Sequence, residues 1–360
     1  MTGERIAFVV PAAIRGVGGT PSGGNTYNAR VLQAWRSRGV PVDEVPVAGS
    51  WPWPAPSDRS ELAAAIAGRP AVLVDGLVGS SCPDELAAAV TAGTRVVLLI
   101  HLPLPAESEL SADEAAALER LERAAVESVS AVVATSHWAA RDVARRYRPA
   151  RTVEAAVPGC APAPLARGST PPRFLVLASV TPRKNHVVLV SALERLADRA
   201  WRCAFVGPVP NDPRVNAALT KALADSPVRD RIDVTGALDE ETLSRVWDRT
   251  DLVLLPSLVE TFGLVVTEAL ARGIPAVVAD GSGSVEALCG GDPALSPDAD
   301  RPGTVADPHD PAAWAEVIGR WLEDPALRAR WRDIALWRRG HARDWDQTAD
   351  DLAAVIWEAP

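Results

Sequence analysis

Lysine is nearly absent from this chain. Lys184 and Lys221 are the only two among 37 basic residues, and the rest are arginine. With its abundant alanine and 31 prolines, that skew reads as a GC-rich coding bias, so a retained lysine is informative. An excess of positive charge is also lacking: 46 acidic residues outweigh the 37 basic ones, for a net charge of −9. That excludes the broad basic face needed to hold a nucleic-acid backbone. Any anionic ligand must be held by a local cluster that outweighs the global field. The four cysteines, Cys82, Cys160, Cys203 and Cys289, are too far apart in sequence for a zinc knuckle or a C-x-x-C redox pair. No apolar run approaches the ~20 residues that span a bilayer. Ile6–Val10 is too short for the apolar core of a signal peptide. The expectation is a cytoplasmic protein with no integral membrane segment. G-x-S-x-G, H-E-x-x-H and H-x-x-x-H are missing as well, which disfavours a serine hydrolase or a zinc enzyme.

What is present is an alternation of short apolar runs with helical patterns. Ile6–Val10, Ala71–Asp75, Arg95–His101, Ala131–Ser136 and Thr152–Pro158 read as strands. They are continuously apolar rather than alternating, as in a parallel sheet covered on both faces. Thr26–Arg38 and Ser111–Ser128 read as helices, the second opened by a Ser111/Glu114 capping box. Pro158–Arg173, rich in Pro, Gly and Ala, has no periodicity and reads as a linker. The alternation then restarts with strands at Phe174–Ser179, Arg202–Gly207, Ile232–Gly236, Leu252–Ser257 and Pro275–Asp280. Two sets of about five strands predict an α/β chain of two Rossmann-like, doubly wound domains facing across a cleft. Their expected bounds are residues 1–160 and 170–340. From Pro311 the pattern is helical, with Trp314, Trp321, Trp331, Trp337, Trp345 and Trp357 at packing positions.

The chemistry concentrates in Leu252–Glu268. A buried strand ends at Pro256-Ser257, a loop holds Glu260, Thr261, Phe262 and Gly263, and a helix then opens at Leu264 and carries Glu268. Ligands of open α/β sheets sit at the carboxyl ends of strands, and a helix start there offers free N–H groups to an anion. Gly263 lets the backbone approach a ligand closely. Two carboxylates flanking an anion site suit hydroxyl groups at both ends of a diphosphate, which describes a nucleotide-sugar. Ser179–His186, after the first strand of the second half, adds Arg183 and Lys184 as counter-charges. A compact ammonium suits a diphosphate there in a chain that otherwise uses arginine. Gly18–Asn25, a Gly-rich loop containing Gly23, Gly24 and Asn25, can cradle phosphate or admit a sugar. It fits neither the dinucleotide fingerprint nor the P-loop. His101, at a strand's carboxyl end, is placed to hydrogen-bond a sugar hydroxyl. Trp51-Pro52-Trp53-Pro54 is an aromatic loop suited either to stacking on an acceptor or to capping the sheet.

With these residues the chain resembles the family-4 glycosyltransferases of the GT-B fold. Glu260–Glu268 matches the family's E-x7-E motif. Ala178–His186 resembles its phosphate segment, and Gly273-Ile274-Pro275 with Gly281–Glu286 the stretch that follows. Gly23-Gly24, His101, Thr135-Ser136 and Val157-Pro158-Gly159 match weaker marks. The resemblance implies that Glu268 binds the donor ribose. Glu260, with the amides of Phe262, Gly263 and Leu264, would hold the transferred sugar and the phosphates. Lys184, helped by Arg183, would neutralise the leaving diphosphate; Gly24 would line the site near the phosphates, and His101 would touch the sugar. Many members carry an Arg where this chain has Ser179; either Arg183, beside the lysine, substitutes for it or the leaving-group charge is less well compensated. The resemblance further implies a retaining transfer with no metal or other cofactor, the nucleoside-diphosphate sugar, UDP- or GDP-linked, serving as co-substrate. It also implies a last helix, residues 341–360, that crosses back to the first domain.

The function expected is transfer of a hexose from a nucleoside-diphosphate sugar to a small soluble acceptor. The base would be held by backbone near Val234 and Gly236. The alternatives are a nucleotide-sugar epimerase or a sugar phosphorylase on the same fold, and a non-catalytic nucleotide-sugar binding module.

Overall fold

The computed structural model describes residues 5–12, 22–210, 213–291 and 300–357. The chain divides into two compact units. The first is Met1–Gly159 together with Arg343–Pro360, and the second is Cys160–Ala342.

In the first unit, β1 (Ile6–Pro11), α1 (Gly23–Ser37), β2 (Val42–Val47) and α2 (Pro56–Ile66) come first. Next come β3 (Ala71–Asp75), α3 (Gly76–Gly79), α4 (Pro83–Thr91) and β4 (Arg95–Ile100). The chain continues with α5 (Ala112–Ser128), β5 (Ala131–Ala134), α6 (His137–Tyr147) and β6 (Val153–Ala155). The six strands are all parallel, in the order β2-β1-β3-β4-β5-β6. Successive side chains of a strand point to opposite faces, so the apolar runs supply two cores. Ala7, Val9, Val72 and Val74 pack with Leu62, Leu86 and Val143 on one face. Ile6, Phe8, Leu73 and Leu99 pack with Val31, Trp35, Leu352 and Ile356 on the other.

The second unit opens with β7 (Arg173–Leu177), α7 (His186–Glu194), β8 (Arg202–Val206) and α8 (Pro213–Asp225). It continues through β9 (Ile232–Gly236), α9 (Glu240–Asp248), β10 (Leu252–Leu255) and α10 (Leu264–Leu270). Then follow β11 (Ala276–Ala279), α11 (Ser284–Leu288), β12 (Gly303–Ala306), α12 (Pro311–Glu323) and α13 (Pro325–Gly340). Its strands are also all parallel, in the order β12-β11-β10-β7-β8-β9. The final helix, α14 (Trp345–Trp357), lies on α1 of the first unit, where Trp35 Nε1 donates to Ala349 O at 3.0 Å.

Each sheet has six strands rather than about five, and the two unexpected ones are edge strands. In β2, Val-Asp-Glu-Val-Pro-Val, charges and a proline break the apolar run. Those are common edge-strand features. β12 is a four-residue strand opened by glycine. α1 begins earlier than its apolar pattern. The Ser22 side chain caps it by accepting from Asn25 N at 3.2 Å, so Gly23, Gly24 and Asn25 form its first turn. The Gly18–Pro21 part of the Gly-rich loop lies outside the described residues.

The strand orders position the sites. In the second sheet β8 and β9 lie on one side of β7, and β10 lies on the other. In the first sheet β2 and β3 flank β1 in the same manner. At such reversals the loops leaving adjacent strands diverge and open a crevice at the carboxyl ends. The loops after β7 and β10, and those after β1 and β3, are therefore where each domain can receive a ligand.

Candidate active site

The loop after β7 folds as one turn of 3₁₀ helix, Pro182–Lys184. Asn185 ends it in the left-handed region at φ 55°, a conformation that asparagine tolerates better than most residues. Its Nδ2 donates to Pro256 O at 3.2 Å and Pro308 O at 2.7 Å. That staples the turn to the loops after β10 and β12. The two loops also exchange backbone and side-chain bonds. Leu258 N donates to Arg183 O at 2.8 Å, and Arg183 Nη1 donates to Val259 O at 3.2 Å.

This stapling brings Lys184 Nζ to 2.5 Å from Glu260 Oε2, with both side chains mostly buried. Burial alone would raise the Glu260 carboxyl. The charge and hydrogen bond of Lys184, with help from Arg183, outweigh it and hold the group below its usual range. Glu260 O also accepts from Gly283 N at 2.7 Å. Gly263 sits at φ 92° and opens the seven-residue α10, a backbone shape that glycine adopts freely. Phe262 is buried beneath the loop, while Thr261 and Leu264 are partly exposed beside it. Glu268 lies one turn into α10, with Arg272 Nη1 on its backbone carbonyl at 2.7 Å. Behind the turn, His186 is buried against the Phe205 ring, and burial, then the Lys184 charge, push it down to about 4. It is a neutral wedge, so it does not compete with Lys184. Val234 and Gly236 lie on β9, the edge strand beside β8, where Gly236 O accepts from Gly207 N at 3.0 Å.

The first domain carries a separate cluster. His101 follows β4, and its Nε2 lies 2.9 Å from Asn28 Oδ1 and 3.3 Å from Asp75 Oδ2. Asn28 Nδ2 donates to Asp75 Oδ2 at 2.5 Å, and the other carboxylate oxygen caps α3 by accepting from Leu77 N at 2.8 Å. Burial pushes the Asp75 carboxyl up, but its hydrogen bonds with His101, Asn28 and the Leu77 amide together hold it below its usual value. Gly24 packs on the His101 ring: a Cβ there would meet Cγ and Cδ2 at 3.2 Å. The Tyr27 ring packs edge-on, its centroid 5.1 Å from that of His101, and its hydroxyl donates to Ala156 O at 2.9 Å.

Among the sequence-predicted residues the fold thus joins Arg183, Lys184, Glu260 and the Thr261–Leu264 turn in one domain. It joins Gly24 and His101 in the other. Asp75 and Asn28 escaped the sequence reading. The usable signal was that Asp75 closes an otherwise apolar strand, Ala-Val-Leu-Val-Asp, at its carboxyl end. Among the described residues no group of three or more His, Cys, Asp and Glu side chains is placed to hold a metal ion.

The family model for glycosyl transferases group 1 matches residues 161–336, almost the whole second unit. This segment is similar to the group 1 glycosyltransferases. The matched residues contain the Lys184 turn, the Glu260 loop and Glu268. Curated relatives include the D-inositol 3-phosphate glycosyltransferase of Xylanimonas cellulosilytica, 33% identical over 190 residues, covering 52% of this chain and 42% of that protein. The enzyme of the same name from Nocardia farcinica is 32% identical over 225 residues, covering 59% of this chain and 46% of that one. The chain therefore matches less than half the length of these relatives. Among solved structures, sucrose-phosphate synthase from Thermosynechococcus elongatus superposes with a TM-score of 0.78 at 17% identity, covering 98% of both chains. Anabaena HepE in complex with UDP and glucose superposes at 0.72 and 15% identity, covering 98% of this chain and 99% of that one. These likenesses establish the GT-B fold, with two Rossmann-like domains.

Proposed function

We propose that the chain is a retaining glycosyltransferase that moves a hexose from a nucleoside-diphosphate sugar to a small polar acceptor. The observation that carries this reading is the Lys184–Glu260 pair at the reversal point of the second sheet. A mostly buried ammonium two loops deep in a group 1 segment is suited to a diphosphate. The carboxylate beside it is suited to sugar hydroxyls. Glu268, further along α10, is assigned to the ribose, and backbone at Val234–Gly236 to the base. HepE was solved with UDP, with UDP and glucose, and with UDP-glucose, which favours a uridine donor here. The relatives named for D-inositol 3-phosphate favour a small polyol phosphate as acceptor.

In this mechanism the bond from the anomeric carbon to the diphosphate oxygen breaks, and a bond from the acceptor oxygen to that carbon forms on the same face. The acceptor proton passes to the leaving diphosphate. Lys184 and Arg183 stabilise the charge that develops on that diphosphate, a role that positioned cations perform without a metal. His101, in the first domain, offers a hydrogen bond to a hydroxyl.

The test is a thermal-shift screen with UDP, GDP and their glucose conjugates. A ligand at ~100 times its Kd raises stability by about 2.7 kcal/mol. Lys184→Ala, Glu260→Ala and Glu268→Ala should each abolish that shift or the transfer. If all three turn over the donor at wild-type rates, the site is misassigned.

A further inference from the structure

We infer that Asp75 and Asn28 are positioning residues that lock the proton of His101 on Nε2 and leave Nδ1 as the acceptor for a ligand hydroxyl. This deepens the proposed function and rests on it for the identity of the ligand, though not for the state of the ring.

The hydrogen bonds of three side chains fix the position of the proton. Asp75 Oδ1 takes the Leu77 amide, and Oδ2 takes Asn28 Nδ2. An ionised carboxylate only accepts hydrogen bonds, so Asn28 must turn its NH₂ toward Asp75. Its carbonyl oxygen, Oδ1, is then the atom that faces His101 Nε2 at 2.9 Å. Two acceptors, Asn28 Oδ1 and Asp75 Oδ2, converge on Nε2, so Nε2 must be the protonated nitrogen. The amide orientation is thus fixed by the carboxylate, and the imidazole tautomer is fixed by the amide.

The consequence lies at the other nitrogen. In a neutral imidazole with its proton on Nε2, Nδ1 carries the lone pair. Among the described residues Nδ1 makes no hydrogen bond, and the side chain keeps 16% of its surface accessible. Gly24 on one side of the ring and Tyr27 edge-on against it pack against the imidazole in this orientation. His101 therefore presents a fixed acceptor at the carboxyl ends of the first sheet. A fixed acceptor selects a group that donates, such as a sugar or polyol hydroxyl, and discriminates against an isosteric group that cannot. Sites built this way reject the analogue lacking the donor far more strongly than an apolar pocket rejects a missing methylene.

The test begins with the unmodified protein. In ¹⁵N-histidine-labelled full-length chain at pH 8, the His101 resonances, assigned by their loss in His101→Gln, should show Nε2 protonated and Nδ1 bare. A proton on Nδ1 overturns the inference without any variant. In Asp75→Asn the amide of Asn28 is free to reverse, so the single-tautomer signature should be lost and turnover should fall at least tenfold. Unchanged tautomer and unchanged turnover overturn the positioning role. The source of the hydroxyl is read with deoxyfluoro analogues of UDP-glucose, since fluorine accepts weakly and donates nothing. If the hydroxyl belongs to the donor sugar, one analogue should be discriminated against by wild type and not by His101→Gln. If it belongs to the acceptor, His101→Gln should raise the acceptor KM and leave the donor KM unchanged; absence of both patterns overturns the hydroxyl assignment. Absence of any nucleotide-sugar turnover in the wild type would defeat the proposed function, while the resonance measurement would still decide the tautomer.

Discussion

Lys184 Nζ meets Glu260 Oε2 at 2.5 Å across 76 residues of sequence, in the crevice between the loops of β7 and β10. Each side chain of the pair neutralises the other's charge. Under the proposed function a donor diphosphate would compete with Glu260 for Lys184 or share it, and the same contact has a measurable effect on stability.

The folded-state pKa of Glu260 is held below the unfolded value. Its contribution to stability is thus present above the ordinary carboxylate range and is lost as pH falls through the folded pKa. Lys184→Met removes the cation and leaves the carboxylate mostly buried, which reverses the sign. The variant should lose about 3–5 kcal/mol near pH 8 and recover part of that as pH is lowered and the carboxyl takes up a proton. Lys184→Met/Glu260→Gln should recover stability near pH 8 but not donor turnover. Urea unfolding of the three proteins at pH 5 and pH 8 checks this. Equal losses for Lys184→Met at both pH values would show that the pair is not coupled as described.

Gly283 supports the same loop from below. A Cβ at this position would lie 2.0 Å from Thr261 O and 2.9 Å from Glu260 O, and neither backbone atom can yield without moving the turn. Gly283→Ala should cost about 1–3 kcal/mol as overpacking and shift Glu260 away from Lys184. We expect donor turnover to drop at least tenfold, a larger change than the stability loss implies at 25 °C. Steady-state kinetics beside thermal unfolding would separate the two effects.

The α/β class was legible because the central strands are continuous apolar runs such as Ala-Val-Leu-Val and Leu-Val-Leu-Leu. A parallel sheet buried on both faces leaves no alternation to mistake for another class. Two of the four edge strands were not legible, since β2 carries Asp43, Glu44 and Pro46 and β12 has only four residues. At the site, local spacing singled out Lys184 and Glu260 separately, each as a ligand contact. That they face each other depends on β10 pairing with β7, which no local pattern encodes. The Asn28, Asp75 and His101 cluster was hidden for the same reason. Three residues on three elements become neighbours only when β1, β3 and β4 are set side by side.

Trp35 and Leu352 tie α14 to the first domain, and the tie is mostly apolar. Leu352 and Ile356 have no exposed surface, and both pack in the core that contains Val31 and Trp35. Leu352→Ala should cost about 2–5 kcal/mol. Removal of residues 345–360 would uncover that face of the sheet and leave Trp35 Nε1 without its acceptor, Ala349 O. The truncated chain should fail to give a cooperative transition for the first domain, which hydrogen exchange at the amides of β1, β3 and β4 in rising denaturant would show.

Glu122 gives the first domain a pH dependence of its own. Its side chain is fully buried on α5, where Oε2 accepts from Leu104 N at 3.0 Å and from the Tyr147 hydroxyl. Burial pushes the carboxyl up to about 7 against those two hydrogen bonds. A carboxyl with a folded pKa above its unfolded value of 4.5 binds more protons in the folded state. Stability therefore falls as pH rises from the unfolded pKa to the folded one, and the loss is complete above about 7. The difference of roughly 2.5 units corresponds to about 3 kcal/mol. Glu122→Gln keeps an acceptor for both donors and cannot ionise. The variant should be close to wild type near pH 5 and more stable than wild type near pH 8, the gap opening by up to about 3 kcal/mol. Because Leu104 lies three residues beyond His101, the same substitution should also leave turnover less sensitive to pH between 6 and 8. A stability difference that stays constant from pH 5 to pH 8 would place the Glu122 titration outside that window.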